Sequence, residues 1–491
     1  MKQTVLTLFI ALFALTAFAE SAAKQEAKAP KYVFYFITDG TGVNIVQAAE
    51  HYRAEIKGYT KQGLGGDVYT QANDPFIFSQ FPVVGIATTY CANSRVTDSA
   101  ASGTALATGH KTNCGFVGVL PDKTTPVYSV AKAAKEQGMA VGIATSVTIN
   151  HATPSAFYAH CADRHGYHTI GHQLVECDYV DFFGGSGIQR AHDKKCGKEK
   201  DLYELAEQNG IAVCRGVAEY DKRAKSAKKM LLIQNAEFGD CNLNYALDRD
   251  PKELTIEQIT EKELDFLMQK DNGKGFFLMN EIGGRVDWNN HSMDAGGAFA
   301  ELEAVNRCVE IAYEFYKKHP TETLIVLTSD HDTGGPSLGN GKYEMNIKAL
   351  QSQKITKDSY TDYLAKLRKE TNNNVTWEQV EQSLKDLWGF WTVHQLTPKQ
   401  EQLLKDTYTA TFGENTKQAL ERSLYKSNEK LSTVACNILA EIAEIKYAHD
   451  THTGGYVPVY AIGVGADEFK GMNDNAEIPQ KIAKIIGTNL K

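Results

Sequence analysis

Short apolar runs punctuate the chain at 32–38, 83–89, 140–145, 276–281, 323–329 and 456–464, each bounded by turn-forming residues. Most are near-continuous and do not alternate, the pattern of strands covered on both faces of a mainly parallel sheet. Between them the period lengthens to that of helices, as at 127–137 and 299–318. Strands that alternate with helices predict an α/β fold, a three-layer sandwich with a mainly parallel central sheet flanked by helices. In such sheets chemistry gathers beyond the carboxyl ends of the strands. Asp39, Glu281 and Asp330 each stand at the end of one of these runs.

Residues 341–449 break the pattern. They are rich in Lys, Glu, Gln and Asn, with helical spacing at 360–371, 377–387 and 433–447. This predicts a mostly helical insertion between two core strands, placed as a lid or an oligomer contact. Its aromatic patch Trp388-Gly389-Phe390-Trp391 is expected to form a small core of its own. The α/β catalytic domain then comprises 31–340 and 450–491.

The start of the chain reads as a secretory signal. Lys2 is followed by an apolar run and by Ala17-Phe18-Ala19, a small-x-small cleavage site, so 1–19 is the expected signal peptide and 20–30 a linker. The expected location is therefore periplasmic or secreted, with no other apolar segment of membrane-spanning length. The 491 residues carry a formal net charge of −8 and are 42% hydrophobic. That balance gives no electrostatic reason to expect nucleic acid or an anionic membrane as partner. An anionic substrate has to be drawn by a local positive site such as metal ions. Five of the nine cysteines, Cys161, Cys177, Cys196, Cys214 and Cys241, crowd one region, where one or two disulfides are expected. None forms a CxxC, which argues against a structural zinc knuckle.

The stretch Val96-Thr97-Asp98-Ser99-Ala100-Ala101-Ser102-Gly103-Thr104-Ala105 reads as a turn that delivers Ser99 to the first turn of a short helix closed by Gly109. A helix N-terminus presents unpaired N–H groups to an anion, and a hydroxyl held there can attack phosphorus once something lowers its pKa. Candidate activators recur along the chain. Asp39 lies in Thr38-Asp39-Gly40, Asp287 and His291 are four apart, Asp330-His331 are adjacent, and His452 lies in Thr451-His452-Thr453-Gly454-Gly455. Each alone is a common turn former or cap. Together, mixed carboxylate and imidazole groups on glycine-flanked loops suit zinc and suffice for two ions, a pair that can clamp both oxygens of a phosphoryl transfer. His151-Ala152-Thr153-Pro154 reads as a helix start with Thr153 as N-cap, and the guanidinium of Arg164 can grip two phosphate oxygens.

These motifs, in this order, resemble the alkaline phosphatase family over nearly all of the span 32–465. The resemblance implies that Ser99 is the nucleophile, carrying a phosphoserine intermediate, and that Arg164 binds the phosphoryl group. It implies one zinc on Asp287, His291 and His452, and a second on Asp39, Asp330 and His331 with Ser99 bonding to it. A third site, usually magnesium, falls to Asp39, Thr153 and a glutamate. Glu281 is expected to be that glutamate, although one extra residue separates it from Asp287, which a bulge can absorb. His151 and Trp288 occupy substrate-side positions that vary within the family; with His151 the third site can hold zinc in place of magnesium. Phosphate monoesters are the implied substrates, and the family allows a homodimer. The competing readings are a phosphodiesterase, a sulfatase, which Cys91-Ala92-Asn93-Ser94-Arg95 matches only superficially, and a non-catalytic metal- or phosphate-binding protein.

Overall fold

The computed structural model describes residues 29–490 apart from 64–65, 70, 72, 193–200, 240–242, 340–342, 344, 414–419 and 423. The expected signal peptide and most of the linker lie outside the described residues.

A ten-stranded sheet forms the centre. In spatial order its strands are Gly471–Asp474, Val83–Thr88, Val457–Gly463, Thr323–Thr328, Tyr32–Ile37, Phe276–Glu281, Ala140–Thr145, Phe182–Gly184, Lys229–Ile233 and Ile211–Arg215. Val457–Gly463 runs antiparallel to both neighbours, and every other pairing is parallel. Tyr32–Ile37, Ala140–Thr145, Phe276–Glu281 and Thr323–Thr328 are buried at every position, as their continuous apolar sequence requires. Phe34 and Phe36 face one layer, where the helix Ala295–Lys318 packs. Val33, Tyr35 and Ile37 face the other, which includes residues of the helices Ser99–Thr108 and Val130–Glu136. The result is the three-layer α/β sandwich.

Register sets the functional edge. Ile37 pairs with both Thr328 and Glu281, and Glu281 pairs with Thr145, so four strands end level with one another. The strands Phe182–Gly184, Ile211–Arg215, Lys229–Ile233 and Gly471–Asp474 were not marked by the apolar pattern; all have only three to five residues.

Residues 341–449 contain the helices Lys357–Glu370, Trp377–Trp388, Pro398–Phe412 and Lys430–Ile442, and a hairpin of Leu420–Arg422 with Ser427–Glu429. The aromatic patch differs from expectation. Trp388 and Phe390 are fully buried in the same cluster as Phe34 and Phe36. The turn Ile347–Ser352 contacts both the helix Val43–Ile56 and the helix Lys430–Ile442, which joins the apolar faces into one core.

Among the described residues there is no disulfide, and Cys161, Cys177 and Cys214 are free. Cys177 is buried on one face of the sheet and Cys214 on the other, which separates them by the sheet itself. Cys196 and Cys241 lie outside the described residues. The close sulfur pair is Cys91 and Cys114, 3.3 Å apart. Among the described residues no helix is long and apolar enough to cross a membrane.

Candidate metal and phosphate site

The helix Ser99–Thr108 begins as its sequence indicates. Asp98 is the N-cap, its Oδ1 accepting from the Ala101 amide at 3.0 Å, and Gly109 closes the helix with φ 75°. Small residues let it approach its neighbour: a Cβ at Gly103 would stand 3.1 Å from Thr153 Cα. Ser99 is fully buried, and its Oγ lies 3.2 Å from His331 Nε2.

Two groups of ligand-type atoms converge beyond the strand ends. Asp39, Asp330 and His331 form one, with His331 Nε2 3.4 Å from Asp39 Oδ1 and 3.2 Å from Asp330 Oδ2. The other contains Asp287, His331 and His452. His291 joins it, its Nε2 3.3 Å from Asp287 Oδ1 and 3.1 Å from His452 Nε2. The rings are oriented from behind: His291 Nδ1 donates to the Asp450 carbonyl at 2.6 Å and His452 Nδ1 to the Thr97 carbonyl at 2.8 Å. In neutral rings both Nε2 atoms then turn lone pairs toward one point, which is how carbonyls behind the rings prepare imidazoles for a cation.

The third group is Glu281, Thr153 and Asp39. Glu281 accepts from Thr145 Oγ1, its partner in strand register. No bulge is needed: Glu281 is the last residue of a regular strand, and the extra residue is absorbed in the turn before the helix Gly284–His291. Thr153 is not an N-cap. The short helix Ala152–Ser155 starts two residues earlier than expected, with His151 at its N-cap, so Thr153 lies in the first turn with a buried, unpartnered Oγ1.

The electrostatics call for cations. Burial, and then the Asp330 and Asp287 carboxylates, push the Asp39 carboxyl well above the usual range, and burial lifts Glu281 to about 7. Asp287 goes the other way: His291 and His452 outweigh its burial and hold it low. Both oxygens of Asp39, Asp287 Oδ2, Asp330 Oδ2 and Glu281 Oε1 are buried without a hydrogen-bond partner. Buried carboxylates in this state are strongly disfavoured unless paired with positive charge. Oxygen and imidazole donors of this kind fit divalent ions.

Arg164 is held near the start of the helix that begins at Ser99, its Nη1 3.0 Å from Asp98 Oδ2, which also accepts from the Gly115 amide. It shares a cavity of about 470 Å³ with His151, Trp288 and His452. Every residue singled out from the sequence for this chemistry therefore sits at this one edge of the sheet. Tyr425, which also lines the cavity, carried no sequence signal, because it lies in a polar stretch far from every motif. Thr145 and Thr333 were also missed; Thr333 Oγ1 donates to Asp287 Oδ1 at 2.6 Å, and its place in Asp332-Thr333-Gly334-Gly335 beside the ligands was the available clue.

Comparison with known proteins agrees with this architecture. The chain is 29% identical over 485 residues to alkaline phosphatase 4 of Bacillus subtilis (strain 168), covering 95% of this chain and 91% of the relative. It is 27% identical over 490 residues to the alkaline phosphatase of Schizosaccharomyces pombe, covering 96% and 84%. Among solved structures, the cold-active alkaline phosphatase from a psychrophilic Shewanella sp. is 26% identical, covers 93% of this chain and 100% of its own, and superposes with a TM-score of 0.73. The Thermus thermophilus alkaline phosphatase, 22% identical over 94% of this chain and 92% of its own, shares the fold at a TM-score of 0.74. The model of the alkaline phosphatase family matches residues 30–488, nearly the whole described chain. The protein thus belongs to the alkaline phosphatase family and is a hydrolase.

Proposed function

We propose that this protein hydrolyses phosphate monoesters of broad structure through a phosphoserine on Ser99, at a centre of two zinc ions with a third site for magnesium or zinc. The observation that carries this reading is the convergence of Asp39, Asp330, His331, Asp287, His291 and His452 around a buried serine whose Oγ is 3.2 Å from His331. Asp287, His291 and His452 would hold one zinc, and Asp39, Asp330 and His331 the other. Glu281, Thr153 and Asp39 would hold the third ion. Such ions stabilise a serine alkoxide, take up charge on a leaving oxygen and bring the pKa of water toward neutrality.

The chain's own groups supply the positioning. Ser99 Oγ forms a bond to phosphorus as the P–O ester bond breaks and the alcohol departs; water then displaces phosphate and restores the serine. The N-terminus of the helix Ser99–Thr108 favours the negative charge that collects there. Arg164 binds two non-bridging oxygens while Asp98 holds it from behind. Asp98 is not the base, since its oxygens are engaged by Ala101, Gly115 and Arg164. Catalysis so arranged rests on orientation and electrostatics. An exported location accords with the leader-like sequence of residues 1–19.

The test is release of phosphate from p-nitrophenyl phosphate. Chelation should abolish it and zinc restore it, and Ser99→Ala should lack it. Wild-type-like turnover by Ser99→Ala would overturn the phosphoserine mechanism.

A further inference from the structure

We infer that the segment 341–449 supplies Tyr425 as a substrate-selecting residue, forming with Trp288 an aromatic wall that favours phosphate monoesters with a flat aromatic leaving group. This rests on the phosphatase reading and deepens it.

Tyr425 lies in the turn between the hairpin strands Leu420–Arg422 and Ser427–Glu429. Its ring stacks on Trp288 with centroids 4.3 Å apart and planes 8° from parallel, and meets His291 edge-on at 5.1 Å. The hairpin thereby reaches the helix that carries Asp287 and His291. Trp288 is itself held, with the Arg285 guanidinium 4.5 Å from its ring.

The hairpin is anchored by buried polar contacts. Asn428 Nδ2 donates to Asp358 Oδ1 at 3.0 Å, and the same oxygen accepts from Ser292 Oγ at 2.8 Å. Ser292 directly follows His291 in the chain. Glu429 pairs with Arg368 at 3.2 Å, both buried. Tyr425 is therefore set in place by a network that ends one residue from a metal-type ligand, and it is not a side chain at the tip of a loose loop. Preorganised aromatic surface of this kind selects ligands, because little ordering is left to occur on binding.

Arg164, Trp288, Leu424 and Tyr425 line the same cavity, and Tyr425 is close enough to Arg164 for the two to interact, so the aromatic wall adjoins the guanidinium. Its volume of about 470 Å³ suits a phosphate with a ring-sized substituent. A phosphate gripped by Arg164 would therefore lie beside this wall, within reach for its ester group to pack against the rings. A planar ring gains offset-stacking and burial there that a small polyol cannot. The contact persists from bound substrate to transition state, so its loss should appear in KM with little change in kcat.

The experiment is steady-state kinetics of the metal-loaded enzyme on phenyl phosphate and on glycerol phosphate, for wild type, Tyr425→Ala and Tyr425→Phe. Tyr425→Ala should raise KM for phenyl phosphate roughly 3- to 10-fold, with a markedly smaller change for glycerol phosphate. Tyr425→Phe keeps the ring and should retain the wild-type ratio. Equal shifts for both substrates in Tyr425→Ala, or none, would overturn the inference, as would a Phe variant that behaves like Ala. If the wild type turns over neither substrate, the phosphatase reading fails and takes this inference with it.

Discussion

Asp98 Oδ2 stands 3.0 Å from Arg164 Nη1 while Oδ1 of the same carboxylate caps the helix that begins at Ser99. One side chain thus fixes both the helix that begins at Ser99 and the Arg164 guanidinium. Removing it separates two effects. Asp98→Ala should cost about 1 kcal/mol of stability through the lost cap, read as a lower Tm. It should also weaken inhibition by inorganic phosphate, roughly tenfold for the loss of a charge-assisted contact that orients Arg164. An unchanged inhibition constant would show that Arg164 is positioned by other contacts.

Glu281 gives a prediction whose sign depends on metal. Its carboxyl is buried near Asp39 and Asp330, and burial lifts it toward neutrality. Glu281→Gln removes one member of a mutually repelling set, so Tm of the chelated protein should rise by a few degrees. In the metal-loaded protein the same substitution deletes the ligand proposed for the third ion and should lower Tm. Paired melting curves with and without chelator check both halves. A fall in both states would place Glu281 outside the metal centre.

Gly283 tests how tightly the strand ends are packed. A Cβ there would lie 2.6 Å from Thr38 Cα and 2.7 Å from the Asp39 amide nitrogen, backbone atoms that cannot turn aside. Gly283→Ala should therefore shift Asp39 relative to the turn after Glu281. The expected loss is roughly 1–3 kcal/mol of stability, together with weaker metal retention on dialysis. Retention equal to wild type would mean that the turn yields instead of Asp39.

Glu257 contributes to acid stability away from the centre. It bonds Arg249 at 3.0 Å and Arg307 at 2.6 Å, tying the start of the helix Ile256–Lys270 to the helix Ala295–Lys318. Burial would raise its carboxyl, but the two arginines outweigh burial and hold it at about 2. The folded pKa lies below an unfolded value of about 4.3. The stability it contributes is thus fully present above that value and lost as the pH falls toward 2. Glu257→Gln should lower Tm near neutral pH by an amount that shrinks on acidification, the two melting curves converging near pH 2. A constant difference across that range would exclude the ionic contribution.

Several elements follow from local sequence alone. The all-apolar strands Tyr32–Ile37 and Phe276–Glu281 are legible because burial on both faces leaves no polar alternation. The helix Pro398–Phe412 was overlooked although Thr397 and Gln400 form a capping box before it, with Pro398 at its start. Its capping residues are local signals, but its weak apolar face gives little helical periodicity. The strand Phe182–Gly184 is different: three residues carry no period, and neighbouring strands alone define it.

The sequence by itself determined the chemistry-bearing residues at strand and helix ends, since caps, turns and buried strands are set by interactions within a few residues. It placed Ser99 at a helix start and Asp39, Glu281 and Asp330 at strand ends, and the fold brings them together. Only the tertiary structure decided which atoms face one another. Level strand register aligns Glu281 with Thr145 without a bulge, and a two-residue shift frees the Thr153 hydroxyl. Packing merges Trp388 into the main core and carries Tyr425 onto Trp288, 137 positions away in the chain. Contacts across such separations depend on how whole layers pack, and no local pattern of hydrophobic and polar residues encodes them.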